Sequence, residues 1–437
     1  MEEPMSEKTD SSINETSSRR EFLATTTTSA ALLATGNYAH ALGSDAIKVG
    51  LIGCGGRGTG AAAQALNADP GVVLTAMGDV FRTHIDSSLN ALMGEKGIAS
   101  RVNVAPDRRF VGLNAYERVL NTDIDVVLLA TPPGFRPLHI KASALAGKHI
   151  FAEKPMGTDA AGVHAALEAT KIMQSKSRSF VSGFCWRYDP PRRAFYQKIH
   201  EGLIGKIAHI HATYLTGPVK EMPAASSRPA GMSDVEWQIS NWYNFVWLSG
   251  DGLVEQACHS VDKILWAMND VPPLRCTGSG GRVLANNEGN IFDHIDVFYE
   301  WADGTRATMA QRQIPCQYND NSDYIVGTKG YGNIKGSEIE IHGETKWKYE
   351  GPRKNMYQVE HDELFASIRK GTPIYDAERM ARSTLMGLMG RMAAYTGEEI
   401  TWERMLKSKE NLFPAHLDWN GTLAIAPMAI PGKTAFV

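Results

Sequence analysis

The sequence predicts two folded domains: an N-terminal α/β domain with an open parallel sheet, and a C-terminal α+β domain with an open, mostly antiparallel sheet. Three observations lead to this prediction. The chain has 437 residues, more than one ordinary hydrophobic core organises. Between residues 47 and about 156, apolar runs of strand length alternate with helical patterns, which is typical of parallel sheets covered by helices. Strand-like alternation joined by turns then follows, beginning at 207–215.

The composition restricts the class of protein. Hydrophobic residues make up 43% and charged residues 21% of the chain, as in soluble globular proteins. The formal net charge of -3 gives no electrostatic reason to expect nucleic acid or an anionic membrane as a partner. The 5 cysteines include no C-x-x-C pair, which argues against a disulfide framework and a structural zinc site, so we expect no metal.

Residues 1–41 resemble an export signal and are not expected to belong to the fold. Arg19 and Arg20 form a pair that Phe22 and Leu23 follow, before a weakly apolar stretch that is too short to span a bilayer. A small-residue cleavage site, Ala-His-Ala, ends this segment. The pattern resembles a bacterial twin-arginine signal, which implies a periplasmic or otherwise exported protein with no membrane contact after cleavage. The alternative is a disordered tail with a chance arginine pair.

Residues 47–60 predict the strand, tight turn and helix of a dinucleotide site. The glycines of a G-x-G-x-x-G pattern are Gly53, Gly55 and Gly58. Gly53 allows the turn, Gly55 lets the backbone approach a pyrophosphate, and Gly58 lets the helix pack on the strand. About 20 residues later, Asp79 ends the next predicted strand, where a carboxylate can bind the adenosine ribose. The alternative is an ordinary βαβ unit that binds no nucleotide.

The remaining first-half elements complete the parallel sheet. The run 125–130 is wholly apolar, as in a strand buried on both faces, and a further strand is predicted over 149–152. Open parallel sheets bind ligands beyond the carboxyl ends of their strands. The residues at such ends are Gly53, Asp79, Thr131 and Lys154. Helices are predicted over 83–96, 113–120 and 137–146.

Three motifs resemble the glucose–fructose oxidoreductase / inositol dehydrogenase (Gfo/Idh/MocA) family. They are the glycine loop, the A-T-P-P turn at 130–133 and the string A-G-K-H-I-F-A-E-K-P at 146–155. The resemblance covers about residues 47–407. It implies a Rossmann domain in the first half, with Lys154 in the active site. The cofactor-binding residues that we expect are Gly53, Gly55, Gly56, Arg57, Gly58, Asp79, Thr131, Pro132, Glu153 and Lys154.

The expected cofactor is NAD. The Asp79 carboxylate would repel the 2′-phosphate of NADP, although Arg82 lies close enough in sequence to keep NADP open. The twin-arginine route is generally understood to carry folded proteins, often with their cofactor inside. Because NAD is not normally supplied outside the cytoplasm, we expect a cofactor that is held tightly and recycled in place.

The second half predicts a helix that carries a carboxylate and a histidine. Asp251 is a suitable N-cap for a helix starting near Gly252, on which Glu255, His259 and Asp262 would share one face. A carboxylate four residues before a histidine can fix the imidazole tautomer and raise its basicity. The alternative is a histidine buried in the core.

The family resemblance assigns chemistry to this helix. The family carries a D-x-x-x-H pair there, facing the lysine, and the matching residues are Glu255 and His259. Glutamate is one methylene longer than aspartate, so we expect Glu255 to orient His259 rather than to contact the substrate. The expected catalytic residues are Lys154, His259 and Glu255.

Substrate contacts are expected from the neighbouring loops and aromatic residues. A long loop is predicted over 217–241, and loops of this length in enzymes are usually functional. Tryptophans around it could stack on a sugar ring, but core packing explains them equally well. The expected substrate-binding residues are Arg187, Tyr188, Trp242 and Trp247.

The domain boundaries follow from these elements. We expect a signal over 1–41, an NAD(P)-binding domain over 47–156, a substrate and oligomerisation domain over 157–407, and a tail over 408–437 that braces a neighbouring subunit. The family resemblance implies a homo-oligomer, a dimer or tetramer, formed through the second sheet. Further strands are predicted over 180–183, 290–301, 305–313 and 323–327, and helices over 159–175, 356–370 and 378–395.

Two reactions fit these residues. The first is hydride transfer between a hydroxyl of a sugar, sugar derivative or cyclitol and the nicotinamide, with His259 as general base and Lys154 stabilising the alkoxide. The second is glycoside hydrolysis, as in some family members with bound NAD, through transient oxidation at C3, elimination and re-reduction. A non-catalytic ligand-binding relative would be expected to lack the lysine or the histidine, and both are present.

Overall fold

The computed structural model describes residues 45–284 and 288–437. The twin-arginine pattern predicted within 1–41 lies outside the described residues. No helix of the described part is long and apolar enough to cross a membrane. No group of three or more His, Cys, Asp or Glu side chains in that part is arranged to hold a metal ion.

The first half forms a six-stranded parallel sheet with the strand order β3-β2-β1-β4-β5-β6. Its strands are β1 Ile47–Ile52, β2 Val72–Asp79, β3 Arg109–Val111, β4 Val126–Leu129, β5 His149–Ala152 and β6 Phe180–Ser182. The four central strands β2, β1, β4 and β5 are buried almost throughout, because helices cover both faces of the sheet. The parallel sheet is therefore confirmed, and it has a short edge strand, β3, that was not predicted.

Helices connect these strands, as predicted. They are α1 Gly56–Ala68, α2 Arg82–Gly94, α3 Ala115–Leu120, α4 Arg136–Leu145 and α5 Ala160–Ser175. The sixth strand lies beyond residue 156, and Ile47–Val437 make one compact unit by their contacts. The domain boundary expected at 156 stays a prediction.

The second half is built on a nine-stranded sheet with the order β14-β13-β12-β11-β7-β10-β9-β8-β15. Its strands are β7 Ile207–Thr216, β8 Arg275–Gly281, β9 His294–Glu300, β10 Arg306–Gln313, β11 Ser322–Gly327, β12 Gly330–Lys335, β13 Glu338–Gly343, β14 Trp347–Lys348 and β15 Ile400–Thr401. Only the β7–β10 pair is parallel, so the sheet is mostly antiparallel, as predicted.

The second half also contains the following helices, of which the one over 356–370 packs against α1 of the first half. They are α6 Pro190–His200, α7 Asp234–Ser240, α8 Val246–Ser249, α9 Gly252–Glu255, α10 Cys258–Ala267, α11 Met356–Lys370, α12 Ala377–Thr396 and α13 Trp402–Leu406. The long α12 is buried along almost its whole length and packs against β8, β9 and α5.

The stretch 217–241 differs from the long loop that the sequence predicts, because it contains α7. Ser233 caps this helix by accepting a hydrogen bond from the backbone N of Glu236 at 3.0 Å, and Asp234 adds negative charge to its first turn. A Ser-x-x-Glu sequence therefore starts the helix, and Trp237 and Ile239 lie on its buried face.

Candidate active site

One cavity of about 450 Å³ lies at the carboxyl edge of the parallel sheet. Its wall includes the glycine loop, Asp79 and Lys154 from the first half, and Glu255 and His259 from the second half. This is the edge at which open parallel sheets bind their ligands. The fold therefore joins the predicted nucleotide residues and the predicted catalytic residues in a single cavity.

The glycine loop adopts a geometry that only glycine permits at two positions. Gly53 has a φ of +93°, and a Cβ on it would lie 2.6 Å from the carbonyl carbon of Ala130. A Cβ on Gly58 would lie 1.8 Å from the carbonyl oxygen of Gly53, so this glycine lets α1 pack against the turn. The roles predicted for Gly53 in the turn and Gly58 in packing are confirmed.

The start of α1 leaves room for an anion. A Cβ on Gly55 or Gly56 would meet no atom within 4 Å, and no side chain caps the helix. The backbone N–H groups of the first turn are free of intrahelical partners, and the helix dipole favours negative charge there. This open cradle on the cavity wall fits a pyrophosphate, as the sequence predicts for Gly55.

Asp79 is fixed at the carboxyl end of β2 by the backbone. Its Oδ2 accepts from the N of Cys54 at 2.7 Å, and its Oδ1 accepts from the N of Phe81 at 2.9 Å. The His84 Nδ1 lies 3.2 Å from Oδ1, and this hydrogen bond raises the pKa of His84. A carboxylate held this rigidly beside the glycine loop matches the ribose-binding role expected for Asp79.

Arg57 ties the glycine loop to the Glu-Lys-Pro triplet. Its Nε donates to Glu153 Oε1, and its Nη2 donates to Glu360 Oε1 of α11 at 3.1 Å. Both carboxylates are buried. Gly183 makes room for this group, because a Cβ on it would lie 2.8 Å from Glu153 Oε2. Arg57 and Glu153 thus fix each other on the cavity wall.

Thr131 and Pro132, the remaining expected cofactor contacts, also line the cavity. Arg136 of α4 holds this turn by donating from Nη2 to the carbonyl oxygen of Thr131 at 2.6 Å. The Oγ1 of Thr131 lies 3.0 Å from His139 Nδ1. All ten residues expected to bind the cofactor are therefore near one another, on the glycine loop and at the ends of β2, β4 and β5.

Lys154 is buried and holds Glu255 with two hydrogen bonds. Its Nζ donates to the carbonyl oxygen of Glu255 at 2.6 Å and to Oε1 of the same residue at 2.8 Å. Burial alone would lower the pKa of Lys154, but the surrounding negative charges, with Glu255 foremost, raise it above its ordinary value. Because an ammonium has three N–H groups, one donor of a fully charged Lys154 is left for a ligand.

This contact breaks the helix that the sequence predicts from Gly252. The carbonyl oxygen of Glu255 would accept from the backbone N of His259 in a continuous helix. Lys154 takes that acceptor, and the N of His259 donates instead to the carbonyl oxygen of Gln256 at 3.4 Å. The chain therefore forms two helices, α9 and α10, with Glu255 at the end of one and His259 at the start of the other.

The prediction that Glu255 orients His259 is wrong, because Glu255 orients Lys154. His259 Nδ1 and Glu255 Oε2 are both buried without a hydrogen-bond partner among the described residues. Burial lowers the pKa of His259 well below its ordinary value, and the charges of Lys154 and Lys263 lower it further. The imidazole is therefore neutral at neutral pH and free to accept a proton.

Aromatic rings hold His259 in place. The Trp186 ring lies 5.2 Å from the imidazole, centroid to centroid, and Phe184 lies edge-on at 6.0 Å. The Nζ of Lys263 lies 4.0 Å from the centroid of the Trp186 ring, and Arg192 packs against the same ring at 4.8 Å. Trp186 lines the cavity and is the residue that sequence reasoning missed beside Arg187.

Three expected substrate contacts lie outside the cavity wall. Arg187 is buried in ion pairs with Asp262 and Asp270, and Tyr188 donates to Asp376 Oδ2 at 2.5 Å. Trp247 is buried in the core and does not line the cavity. The prediction is wrong at these three positions. For Arg187 and Tyr188, the reason is that the turn after β6 points Trp186, and not the two residues that follow it, towards the cavity.

Trp242 does line the cavity, as predicted, and other wall residues were not singled out from the sequence. Tyr214 of β7 donates from its hydroxyl to Gln256 Oε1 at 2.9 Å, and both side chains line the cavity. His84 could have been recognised from the sequence as a residue of the cavity wall, because it follows Asp79 in the first turn of α2. Gln256 and Tyr214 carried no such indication, because their placement depends on the break between α9 and α10 and on sheet register.

Comparisons with known proteins agree with this architecture. Residues 47–183 match the Gfo/Idh/MocA family, described as "Oxidoreductase family, NAD-binding Rossmann fold". Solved structures of similar fold include a levoglucosan dehydrogenase in complex with NADH and levoglucosan, with a TM-score of 0.64 and 17% identity over 81% of this chain and 99% of that one. An aldose-aldose oxidoreductase from Caulobacter crescentus gives a TM-score of 0.65 and 16% identity over 82% of this chain and 99% of that one.

Curated relatives fall into two named groups. A glycosyl hydrolase family 109 protein of Shewanella amazonensis is 25% identical over 317 residues, which cover 71% of this chain. The alignment spans 61% of the length of that relative. An inositol 2-dehydrogenase of Rhizobium meliloti is 24% identical over 286 residues, covering 65% of this chain and 74% of that protein.

Proposed function

We propose that this chain, whose residues 47–183 belong to the Gfo/Idh/MocA oxidoreductase family with its NAD-binding Rossmann fold, is an NAD-dependent oxidoreductase of sugar or cyclitol hydroxyls. The observation that carries the proposal is the shared cavity. The glycine cradle and Asp79 stand on its wall together with a charged lysine and a neutral histidine. Hydride transfer from an alcohol needs these groups beside a nicotinamide.

The proton of the substrate hydroxyl goes to His259, which is neutral and lines the cavity. When bound, the nicotinamide supplies the hydride acceptor. The remaining N–H of Lys154 donates to the oxygen as its O–H bond breaks, and the positive charge stabilises the alkoxide. The substrate C–O bond becomes C=O as its carbon loses hydride, so a hydride and the hydroxyl proton, in total two electrons and two protons, leave the alcohol.

Glu255 gives Lys154 a fixed direction, because it occupies two of the three ammonium hydrogens. Glu255 and His259 both line the cavity and add polar groups to its wall. A ligand that carries neighbouring hydroxyl groups supplies hydrogen-bond partners for such groups. Trp186 and Trp242 add aromatic surface on the same cavity wall, which suits the apolar face of a sugar ring.

A panel assay tests this function. The purified chain is incubated with NAD and a set of neutral sugars and cyclitols, and NADH formation is measured. We expect oxidation of at least one compound, and a loss of about a hundredfold or more in Lys154→Met and His259→Asn. The exposed Lys141→Met variant of α4 is the control. Equal activity in His259→Asn and the wild type would contradict the assignment.

The second candidate is an NAD-dependent glycosidase. The similarity to proteins named glycosyl hydrolase family 109 favours this candidate. The same His259 and Lys154 would promote oxidation at C3 of a glycoside, which makes the C2 proton acidic enough for elimination of the aglycone. Water addition and return of the hydride leave no net change in the cofactor. Release of aglycone without external NAD and without net NADH would favour hydrolysis over the first candidate.

Tight retention of the cofactor and export belong to the same proposal. Arg19 and Arg20 lie outside the described residues, so export rests on the sequence pattern alone. Fusion of residues 1–44 to a reporter that needs the twin-arginine route tests it. We expect export that is abolished when both arginines are changed to lysine, and unchanged export in that variant would contradict it.

A homo-oligomer formed through the outer face of the nine-stranded sheet is also part of the proposal. Register brings Phe298 of β9, Thr308 of β10, His211 of β7 and Tyr324 of β11 into one row, and Phe298 is 51% exposed. Exposed apolar surface of this kind is typical of subunit contacts. Light scattering of the wild type and Phe298→Glu tests it, and a wild-type monomer would contradict it.

A further inference from the structure

The segment 408–437 is held by hydrogen bonds near both of its ends, although it contains no helix or strand. The Oγ of Ser408 and the backbone N of Lys409 donate to the carbonyl oxygen of Val437 at 2.6 Å and 3.1 Å. The N of Gly432 donates to the carbonyl oxygen of Thr396 at the end of α12 at 2.8 Å. The two ends of the segment are therefore joined to each other, and the C-terminal end is tied to α12, which is uncommon for a terminal stretch without regular structure.

A buried ion pair fixes the start of its path. Glu410 accepts from Nη2 of Arg391, whose side chain is completely buried in α12. Two residues later, the backbone N of Leu412 donates to Oδ2 of Asp159, the N-cap of α5, at 2.8 Å. Breaking the pair would leave a buried charge without a partner, so this anchor resists detachment.

The middle of the segment packs behind two residues that line the cavity. The Phe413 ring lies edge-on to Phe135 at 5.6 Å and to Trp247 at 5.9 Å. The Trp419 ring lies edge-on to Phe81 at 5.5 Å. Phe81 and Phe135 follow β2 and β4 at the carboxyl edge of the parallel sheet, and both line the cavity. The segment thus supports the nucleotide side of the wall with aromatic pairs.

The same stretch is hydrogen bonded to α7. The carbonyl oxygen of Trp419 accepts from the hydroxyl of Ser233, and the backbone N of Leu423 donates to Oδ2 of Asp234 at 3.0 Å. The carbonyl oxygen of Leu423 accepts from Nε2 of Gln238 at 2.7 Å. Ile239 and Trp242, at and beyond the end of α7, line the cavity. The segment therefore spans from the parallel sheet to the part of the second half that faces it.

We infer that residues 408–437 are a C-terminal strap that retains the dinucleotide by joining the two walls of its cavity. The inference rests on the proposed function, because it takes NAD as the ligand. Separation of the Phe81 and Phe135 side from α7 would break the contacts of Phe413 and Trp419 and the hydrogen bonds at Leu423. Release of the nucleotide therefore carries the cost of detaching the strap, which makes the cofactor resident.

The test is the rate at which NADH leaves the full chain. The protein is loaded with NADH and mixed with an excess of NAD, and the loss of nicotinamide fluorescence is followed by stopped flow. The first variant is Phe413→Ala combined with Trp419→Ala. The second ends the chain after Glu410, which keeps the ion pair with Arg391. We expect dissociation to be about tenfold faster or more in both.

Met428→Ala is the matched control, because this strap residue is 39% exposed. Circular dichroism and the thermal midpoint of each variant establish that it is folded. A folded double variant that releases NADH at the wild-type rate would overturn the strap while leaving the proposed function intact. A wild-type chain that binds no nicotinamide nucleotide would overturn both. A truncated chain that fails to fold leaves the decision to the double variant.

Discussion

The pairing of Lys154 with Glu255 determines the chemistry of the site. The Glu255 carboxylate keeps Lys154 charged. The backbone carbonyl oxygen of Glu255 accepts from Lys154 Nζ instead of taking part in a continuous helix. His259 is therefore held by Trp186 and Phe184 and stays neutral. A carboxylate hydrogen bonded to His259 would have stabilised the imidazolium. Without it, His259 takes up a proton only when the substrate supplies that proton and the substrate oxygen takes the negative charge.

Glu255→Gln should shift the alkaline limb of the turnover profile to lower pH. The carboxylate raises the pKa of Lys154, so its removal lowers that pKa while the backbone contact remains. The charge interaction stabilises the folded state at neutral pH and is lost only as pH rises through the raised pKa. The pH dependence of kcat in both proteins checks this. An alkaline limb at the same pH in the variant would contradict the role given to Glu255.

His84 should make cofactor choice depend on pH. Its hydrogen bond to Asp79 raises its pKa, so it gains charge as pH falls, beside the carboxylate that we expect to bind the ribose. The added positive charge offsets the repulsion between Asp79 and a 2′-phosphate. We expect the ratio of the Kd values for NADPH and NADH to decrease between about pH 8 and about pH 6.

His84→Gln is the control for this prediction, because the amide keeps polar character without titrating in that range. Binding titrations of both nucleotides at each pH should give a constant ratio in the variant. The same pH dependence in the variant and the wild type would show that another group controls cofactor choice.

At the scale of elements, the glycine loop was the most predictable part of the chain. Its strand, turn and helix could be assigned because β1 is apolar and because only glycine fits the tight turn and the close packing there. The helix α7 was predictable in principle from its Ser-x-x-Glu sequence at Ser233. The short strands β12, β13 and β14 were not, because glycines and charges interrupt their alternation and their pairing is set by the sheet.

Gly58→Ala should abolish nucleotide binding and destabilise the first half. The added methyl group would lie 1.8 Å from the carbonyl oxygen of Gly53, so α1 must move away from the turn. Overpacking of this kind costs about 1–3 kcal/mol. Gly94→Ala at the end of α2 is the matched control, since its methyl group would meet no atom within 4 Å. NADH titration and thermal unfolding of both variants check the prediction, and wild-type binding in Gly58→Ala would contradict it.

The break between α9 and α10 could not be predicted from local sequence. The periodicity predicts one helix through Glu255 and His259. Both residues are indeed helical, but they lie in two separate helices. The break arises because Lys154, about 100 residues earlier in the chain, competes for the carbonyl oxygen of Glu255. Residues whose roles depend on such long-range contacts, including Trp186 and Gln256, were therefore missed or misassigned.

At the scale of the whole molecule, the site exists because the two halves of the chain contribute different residues to one cavity. The first half contributes the expected nucleotide-binding residues and Lys154, and the second half contributes Glu255 and His259. The sequence predicted both sheets, since apolar runs mark the first and alternation marks the second. We expected a tail that braces a neighbouring subunit, but the path of the C-terminal strap along its own chain was not predicted, because that segment has neither periodicity nor regular structure and its position is set by contacts at Arg391, Phe81 and α7.

Buried neutral histidines should make the whole fold sensitive to acid. Burial lowers the pKa of His139 to about 3 and that of His149 to about 4, and it lowers the pKa of His259 and His361 well below the ordinary value. The unfolded chain takes up these protons below about pH 6.5 and the folded chain does not, so stability falls as pH decreases from there.

Thermal unfolding at pH values between about 7 and about 5 checks this prediction. We expect Tm to decrease as the pH is lowered, and to decrease less in His139→Gln, which removes one of the titrating groups. A Tm that stays constant or rises on acidification would contradict the account of the buried histidines.

We propose that a substrate whose hydroxyl is held by Lys154 and His259 gives hydride, from the carbon that bears this hydroxyl, to a nicotinamide in this cavity. The most direct measurement is the absorbance of reduced nicotinamide in a single turnover of the NAD-loaded chain mixed with each member of the sugar and cyclitol panel. We expect the band to rise with at least one compound in the wild type, and not to rise with that compound in His259→Asn, which still binds NAD. A chain that binds NAD and is reduced by no compound, or an equal rise in His259→Asn, would contradict it.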